Sequence, residues 1–230
     1  MTLNFLGLVN EVMDEIDEGQ LTSDTFPTET SSEFRRVKNY INRIYREVFF
    51  ERADWSWARL YTTLTTSAGT NAYSLHATAD TESVFLVQVN GEVPMEILPY
   101  QEAFRRHGEF TTTVTGQPYV AWGFNGQLYL FPTPGGVYTI NYACKKIFSA
   151  LTDYDDEPYI PEGKRHVLVY GAIWLARLHD NEPDAKMFYD LYQRALQSLR
   201  NAEDQNSRGH SMVPEDETVY AEHDQIILLE

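Results

Sequence analysis

Residues 115–146, TGQPYVAWGFNGQLYLFPTPGGVYTINYACKK, restrict the possible folds more than any other stretch. Three runs rich in Tyr, Val, Leu, Ile and Phe are cut by turn chemistry. Asn125-Gly126 separates the first two, and this dipeptide suits a type I′ hairpin because both residues tolerate positive φ. Pro132-Thr133-Pro134-Gly135-Gly136 separates the second from the third. In the third run Val137, Thr139, Asn141 and Ala143 alternate with Tyr138, Ile140, Tyr142 and Cys144, the period of a half-buried strand. A three-stranded antiparallel meander is expected. A second Asn-Gly pair, Asn90-Gly91, predicts another hairpin between residues 83–89 and 92–98. With residues 60–66 and 72–75 alternating as strands and residues 99–107 as a short helix, residues 60–148 read as a β module of roughly six strands.

Helical periodicity flanks this module on both sides. Phe5, Val9, Val12 and Ile16 share one face of a first helix that Gly19 is expected to stop. Residues 20–32 read as a long polar loop broken by Pro27. Thr30 and Glu33 fit a capping box. Phe34, Val37, Ile41, Ile44 and Val48 then form an apolar stripe, widened by Tyr40, Tyr45 and Phe49, as far as about Arg52. Trp55 and Trp57 are expected to pack over the end of that helix. After an acidic loop, Pro161-Glu162 opens a helix with the stripe Val167, Tyr170, Trp174 and Leu178, and Ile173 alongside. Pro183 is expected in the first turn of a last helix carrying Phe188, Leu191, Ala195, Leu199 and Ala202. The short connection makes these two helices antiparallel neighbours. Residues 207–230 lose periodicity and read as an extended tail. Its 225–229 run could add a strand to a partner's sheet edge.

The economical architecture is α+β. Residues 1–59 and 149–206 form one helical bundle, residues 60–148 form an antiparallel β module inserted in it, and residues 207–230 form a docking tail.

Charge narrows the function. Of 230 residues, 43% are hydrophobic and 23% charged, with a net charge of −16, so the chain is expected to be globular and a poor ligand for DNA or anionic membranes. Basic residues concentrate between Arg35 and Arg59, interleaved with aromatics. This is a nucleic-acid pattern in principle, but a solvated face or one opposed to an acidic neighbour fits the acidic remainder better. Cys144 is the single cysteine. Lys145 and Lys146 would lower its pKa, yet without a His or Asp partner pattern it reads as an ordinary strand residue. Residues 1–9 lack a basic stretch, so no signal peptide is expected, and no apolar run is long enough to span a bilayer. Asp153-Tyr154-Asp155-Asp156-Glu157 tempts a calcium reading. An EF-hand loop needs Gly sixth and Glu twelfth, where this chain has Pro158 and Lys164. No phosphate-binding glycine loop, nucleophile elbow or zinc pattern occurs. No catalytic residue, metal or cofactor is expected.

Short pieces in a fixed order carry a resemblance: residues 36–46 (RVKNYINRIYR), Trp55-Ser56-Trp57, Tyr73-Ser74-Leu75, Thr115-Gly116-Gln117-Pro118, residues 128–134 (LYLFPTP), residues 138–142 (YTINY) and Tyr159-Ile160-Pro161. Across residues 5–205 the chain resembles the head-to-tail adaptor (connector) proteins of tailed bacteriophages. The resemblance implies a structural protein of the virion neck, assembled in the bacterial host cytoplasm. It implies a homo-oligomeric ring of twelve copies bound beneath the portal protein, extending the DNA channel and docking tail proteins (tube, nozzle or fibre-bearing components). DNA would pass without sequence-specific binding, and no membrane is involved. The C-terminal segment would embrace the portal, which assigns Val219, Tyr220, Gln225, Ile226, Ile227, Leu228 and Leu229 to that contact. Tyr119, Trp122, Phe124 and Tyr129, with Arg35, Arg43 and Arg46, are candidates for subunit or tail interfaces. Two other readings remain open: a virion-associated cell-wall hydrolase, which needs a carboxylate pair in a cleft, and a monomeric carbohydrate- or peptide-binding module using the meander aromatics.

Overall fold

A computed structural model of the chain describes residues 3–107 and 114–209. In chain order it contains α1 (Phe5–Glu15), α2 (Ser32–Glu51), β1 (Arg59–Thr65), β2 (Ala72–Ser74), β3 (Ala79–Val89), β4 (Glu96–Ile97), α3 (Tyr100–His107), β5 (Thr115–Gly116), β6 (Val120–Phe124), β7 (Gln127–Phe131), β8 (Thr133–Pro134), β9 (Thr139–Lys146), α4 (His166–His179) and α5 (Ala185–Gly209). The fold is α+β, with α1, α2, α4 and α5 sharing one apolar core.

Local chemistry explains where the helices begin and end. Gly7 N–H donates to Asn4 Oδ1 at 3.0 Å, capping α1. The chain leaves α1 through Asp17, whose φ is 60°, two residues before the expected stop at Gly19. Asp tolerates this left-handed conformation. At α2 the cap is Ser31, whose hydroxyl accepts from Phe34 N–H at 3.3 Å, so the expected Thr30–Glu33 box does not form. Glu33 instead accepts from the Ser32 hydroxyl. The loop before α2 is pinned rather than free. Phe26 is buried edge-on between Phe5 and Phe34, with centroids 5.4 and 5.1 Å away, and Lys38 Nζ sits 4.6 Å above its ring.

Trp55 and Trp57 close the far end of α2 as expected. Their rings stack at 5.3 Å, and the buried Trp55 indole donates to the Val48 carbonyl at 2.9 Å. On α4 the expected stripe holds in part: Val167 and Ile173 are buried and Tyr170 and Trp174 pack against the core, but Leu178 is exposed, and Leu168, Val169, Ala172 and Ala176 are buried as well. This helix packs on α1, α2 and α5 together, so nearly its whole circumference is covered and a single stripe is not its signature. Helix α5 starts two residues after Pro183, which therefore lies outside its first turn. It runs antiparallel to α4: Trp174 contacts Tyr189 and Tyr192, and Lys164 reaches Ser198.

The strands pair differently from the expected meander. Asn125 (φ 48°) and Gly126 (φ 76°) turn β6 into β7, but β9 leaves β7 and lies between β1 and β3. The second sheet runs β2-β7-β6-β4, with β4 parallel to β6, and β5 and β8 form a parallel pair. Asn90-Gly91 does make a turn, yet only a single bridge, Gln88 to Pro94, follows it before the chain crosses to the other sheet. The inner faces of the two larger sheets share a core of Val87, Val89, Ile140, Tyr142, Cys144, Ala121, Leu128 and Leu130. Gly123 makes their close approach possible, because a Cβ there would overlap the Thr81 carbonyl.

Candidate interaction surfaces

The meander aromatics divide between inside and outside. Helix α3 lies on the outer side of β6 and β7 and draws Trp122, Phe124 and Tyr129 into a small core with Leu98 and Ala103. Tyr100 stacks on Phe124 at 3.9 Å, and Trp122 stacks on Tyr129 at 5.7 Å. Trp122 is only 3% exposed, so it packs within its own subunit instead of offering a ring to a partner. Tyr119 is 57% exposed. It lines a cleft of ≈ 540 Å³ with Val93, Pro94 and Met95. A carbohydrate platform built from all four aromatics is therefore not present on this surface.

Part of the basic run at α2 is paired with neighbouring carboxylates. Arg36 forks onto Asp180 at 3.1 and 3.3 Å. Arg43 pairs with Glu47 one turn on, at 3.0 Å. Arg52 bridges Asp54 and Asp204 at 3.0 and 2.8 Å, and its hydrogen bond to Asp54 holds that carboxyl below the usual range. This is the acidic-neighbour reading of the basic run, supplied within the subunit. Arg35 borders two shallow grooves beside Asn39. Arg46 stands out on the surface with its guanidinium 6.0 Å from the Phe50 ring.

Sequence periodicity missed two apolar patches. The first lies on the outer face of the β1-β9-β3 sheet, where Phe50, Tyr61 and Phe85 are 57%, 63% and 48% exposed. Tyr61 belongs to an alternating strand, but Phe85 comes beside it through strand pairing and Phe50 reaches this face through the packing of α2. The second is the α4–α5 connection, where Leu178, Met187 and Tyr189 are each exposed.

Cys144 is fully buried and its thiol is pushed up to about 11, by burial first and the Asp80 charge second, so the neighbouring lysines do not activate it. Among the described residues no group of three or more His, Cys, Asp and Glu could hold a metal ion. Three clefts each carry one carboxylate: Glu92 with Tyr119, Glu29 with Phe26 and Asp54 with Phe85. Among those residues no helix is long and apolar enough to cross a membrane. Val219, Tyr220, Gln225, Ile226, Ile227, Leu228 and Leu229 lie outside the described residues.

No curated protein matches the chain by sequence. A family model described as SU10 adaptor protein matches residues 3–214. The chain belongs to the SU10 adaptor protein family, and the likeness to phage head-to-tail adaptors drawn from its short sequence pieces holds.

Proposed function

We propose that this chain is a structural subunit of the virion neck, twelve copies of which form a ring beneath the portal. The ring extends the DNA channel and presents a platform for tail proteins. The observation that carries this reading is the adaptor-family match over residues 3–214. Its units are the helical bundle of residues 1–59 and 149–206, the β module of residues 60–148, and the tail of residues 207–230, although α5 itself continues to Gly209. A closed ring needs two different, complementary patches on each subunit. The Val93–Tyr119 cleft on the β module and the exposed Leu178 and Met187 on the bundle are the candidates for these two faces. Arg35 and Arg43 border the subunit contact. Residues 219–229 engage the portal. A net charge of −16 per copy favours a lumen that repels DNA phosphates and lets the genome slide.

Native mass spectrometry with portal rings tests this. The chain joins the portal in one fixed copy number, and the Ile226→Asp/Leu228→Asp variant does not. A full-length chain that never associates with portal refutes the reading.

A further inference from the structure

The outer face of the β1-β9-β3 sheet combines exposed aromatics with cations that form no salt bridge among the described residues. Tyr61 and Phe85 meet edge-on at 6.2 Å. Arg59 lies over Phe85 at 5.6 Å, and Lys145 reaches the Phe50 ring at 5.5 Å. Arg59 and Lys145 are cross-strand partners, so both project from the same side of the sheet. With Ala53, Asp54, Ser83 and Phe85 they line a cleft of ≈ 310 Å³. Among the described residues Arg46, Arg59 and Lys145 have no carboxylate within salt-bridge distance. The face suits an occupant that is both acidic and apolar.

One segment of this chain has that composition. Residues 210–230 carry six carboxylates (Glu215, Asp216, Glu217, Glu222, Asp224 and Glu230), no Lys or Arg, and the apolar residues Val213, Val219, Tyr220, Ile226, Ile227, Leu228 and Leu229. The segment also starts in the right place. Near the end of α5, Glu203 accepts from Ser56 N–H at 2.7 Å, and Asp204 binds Arg52 at 2.8 Å. Arg52 binds Asp54 on the rim of the cleft as well. From Asp204 to Gly209 is about 7.5 Å of helix, and the 21 residues beyond reach up to about 70 Å when extended. Among the described residues β1 is an edge strand of its sheet, so an extended segment can pair there as well.

We propose that in the free subunit the acidic, apolar residues 210–230 dock in cis on this face, carboxylates against Arg46, Arg59 and Lys145 and apolar side chains against Phe50, Tyr61 and Phe85. The docked segment shields the exposed aromatics until a partner competes for it. The proposal does not depend on the portal reading.

The test is zero-length carbodiimide coupling of the full chain at low protein concentration, with no portal present, mapped by mass spectrometry. The chain has five lysines: Lys38, Lys145, Lys146, Lys164 and Lys186. Cis docking gives monomeric products joining Lys145 to carboxylates between Glu215 and Asp224. Yield falls several-fold in Tyr61→Ser/Phe85→Ser, two surface changes that leave the cores intact, and also with added salt. Coupling to Lys38, Lys164 and Lys186 as frequent as to Lys145, no coupling at all, or products confined to dimers each overturns the proposal. The dimer result would give the face to a second copy's segment. The portal reading stands or falls separately, on the copy-number measurement.

Discussion

Gly171→Ala probes the closest helix contact in the bundle. An added Cβ on α4 would lie 2.8, 2.9 and 3.0 Å from Cγ2, Cγ1 and Cδ1 of Ile44 on α2. Ordinary carbon contacts are about 3.5–4.0 Å. Ile44 is fully buried and β-branched, so it has little rotamer freedom to give way. Either it leaves its rotamer or α2 and α4 separate, at a cost of about 1–3 kcal/mol. Replacing a mid-helix glycine returns about 1 kcal/mol of propensity. The net expectation is a loss of up to about 2 kcal/mol by urea unfolding, followed through tryptophan fluorescence. The sign should reverse in an Ile44→Ala background. All three clashing atoms are then gone, and Gly171→Ala stabilises by about 1 kcal/mol, although Ile44→Ala alone costs about 2–5 kcal/mol. Equal effects in both backgrounds, or stabilisation in the wild type, would refute the close-packing argument.

Three further outcomes follow from buried or capped groups. Tyr45→Phe leaves the Tyr159 N–H, which now donates to the Tyr45 hydroxyl at 3.0 Å, without its acceptor; a loss of about 1–3 kcal/mol in thermal or urea unfolding is expected, and no loss would refute the contact. Asp156 accepts from Thr152 N–H at 2.6 Å and Asp153 N–H at 2.8 Å; partial burial alone would raise its pKa, but these bonds and the Thr152 hydroxyl hold it below the usual carboxylate value. A depressed carboxyl contributes stability that is complete above its unfolded pKa of about 3.9 and is lost as pH falls through the folded value, so Asp156→Ala should cost about 1 kcal/mol at pH 7 and show a smaller stability loss below pH of about 4 than the wild type. The Cys144 thiol, pushed up to about 11, should resist a thiol reagent at mildly alkaline pH until urea unfolds the chain; labelling of the folded protein at the unfolded rate would contradict its burial.

What the sequence determined by itself was everything set within a few residues. The α2 stripe follows from 3.6-residue periodicity. The turns at Asn90-Gly91 and Asn125-Gly126 follow from residues that tolerate positive φ, and their φ values of 46°, 77°, 48° and 76° agree. The stacked indoles at the end of α2 follow from two large rings placed where the helix must stop. The family likeness was legible because its short pieces keep their order along the chain.

Tertiary structure decided whatever depends on residues far apart. The alternation in β9 announces a strand but does not name its partner, and β9 pairs with β1 and β3 although β7 and β8 immediately precede it in sequence. The pattern in α4 could not be read as one face because three helices cover it. Trp122 looked like an interface aromatic until α3 folded over it. Phe50, Tyr61 and Phe85 are separate residues on α2, β1 and β3, and only packing and strand pairing assemble them into one surface. Periodicity is a property of one segment, whereas burial and partnership belong to pairs of segments, and a one-dimensional pattern carries only the first.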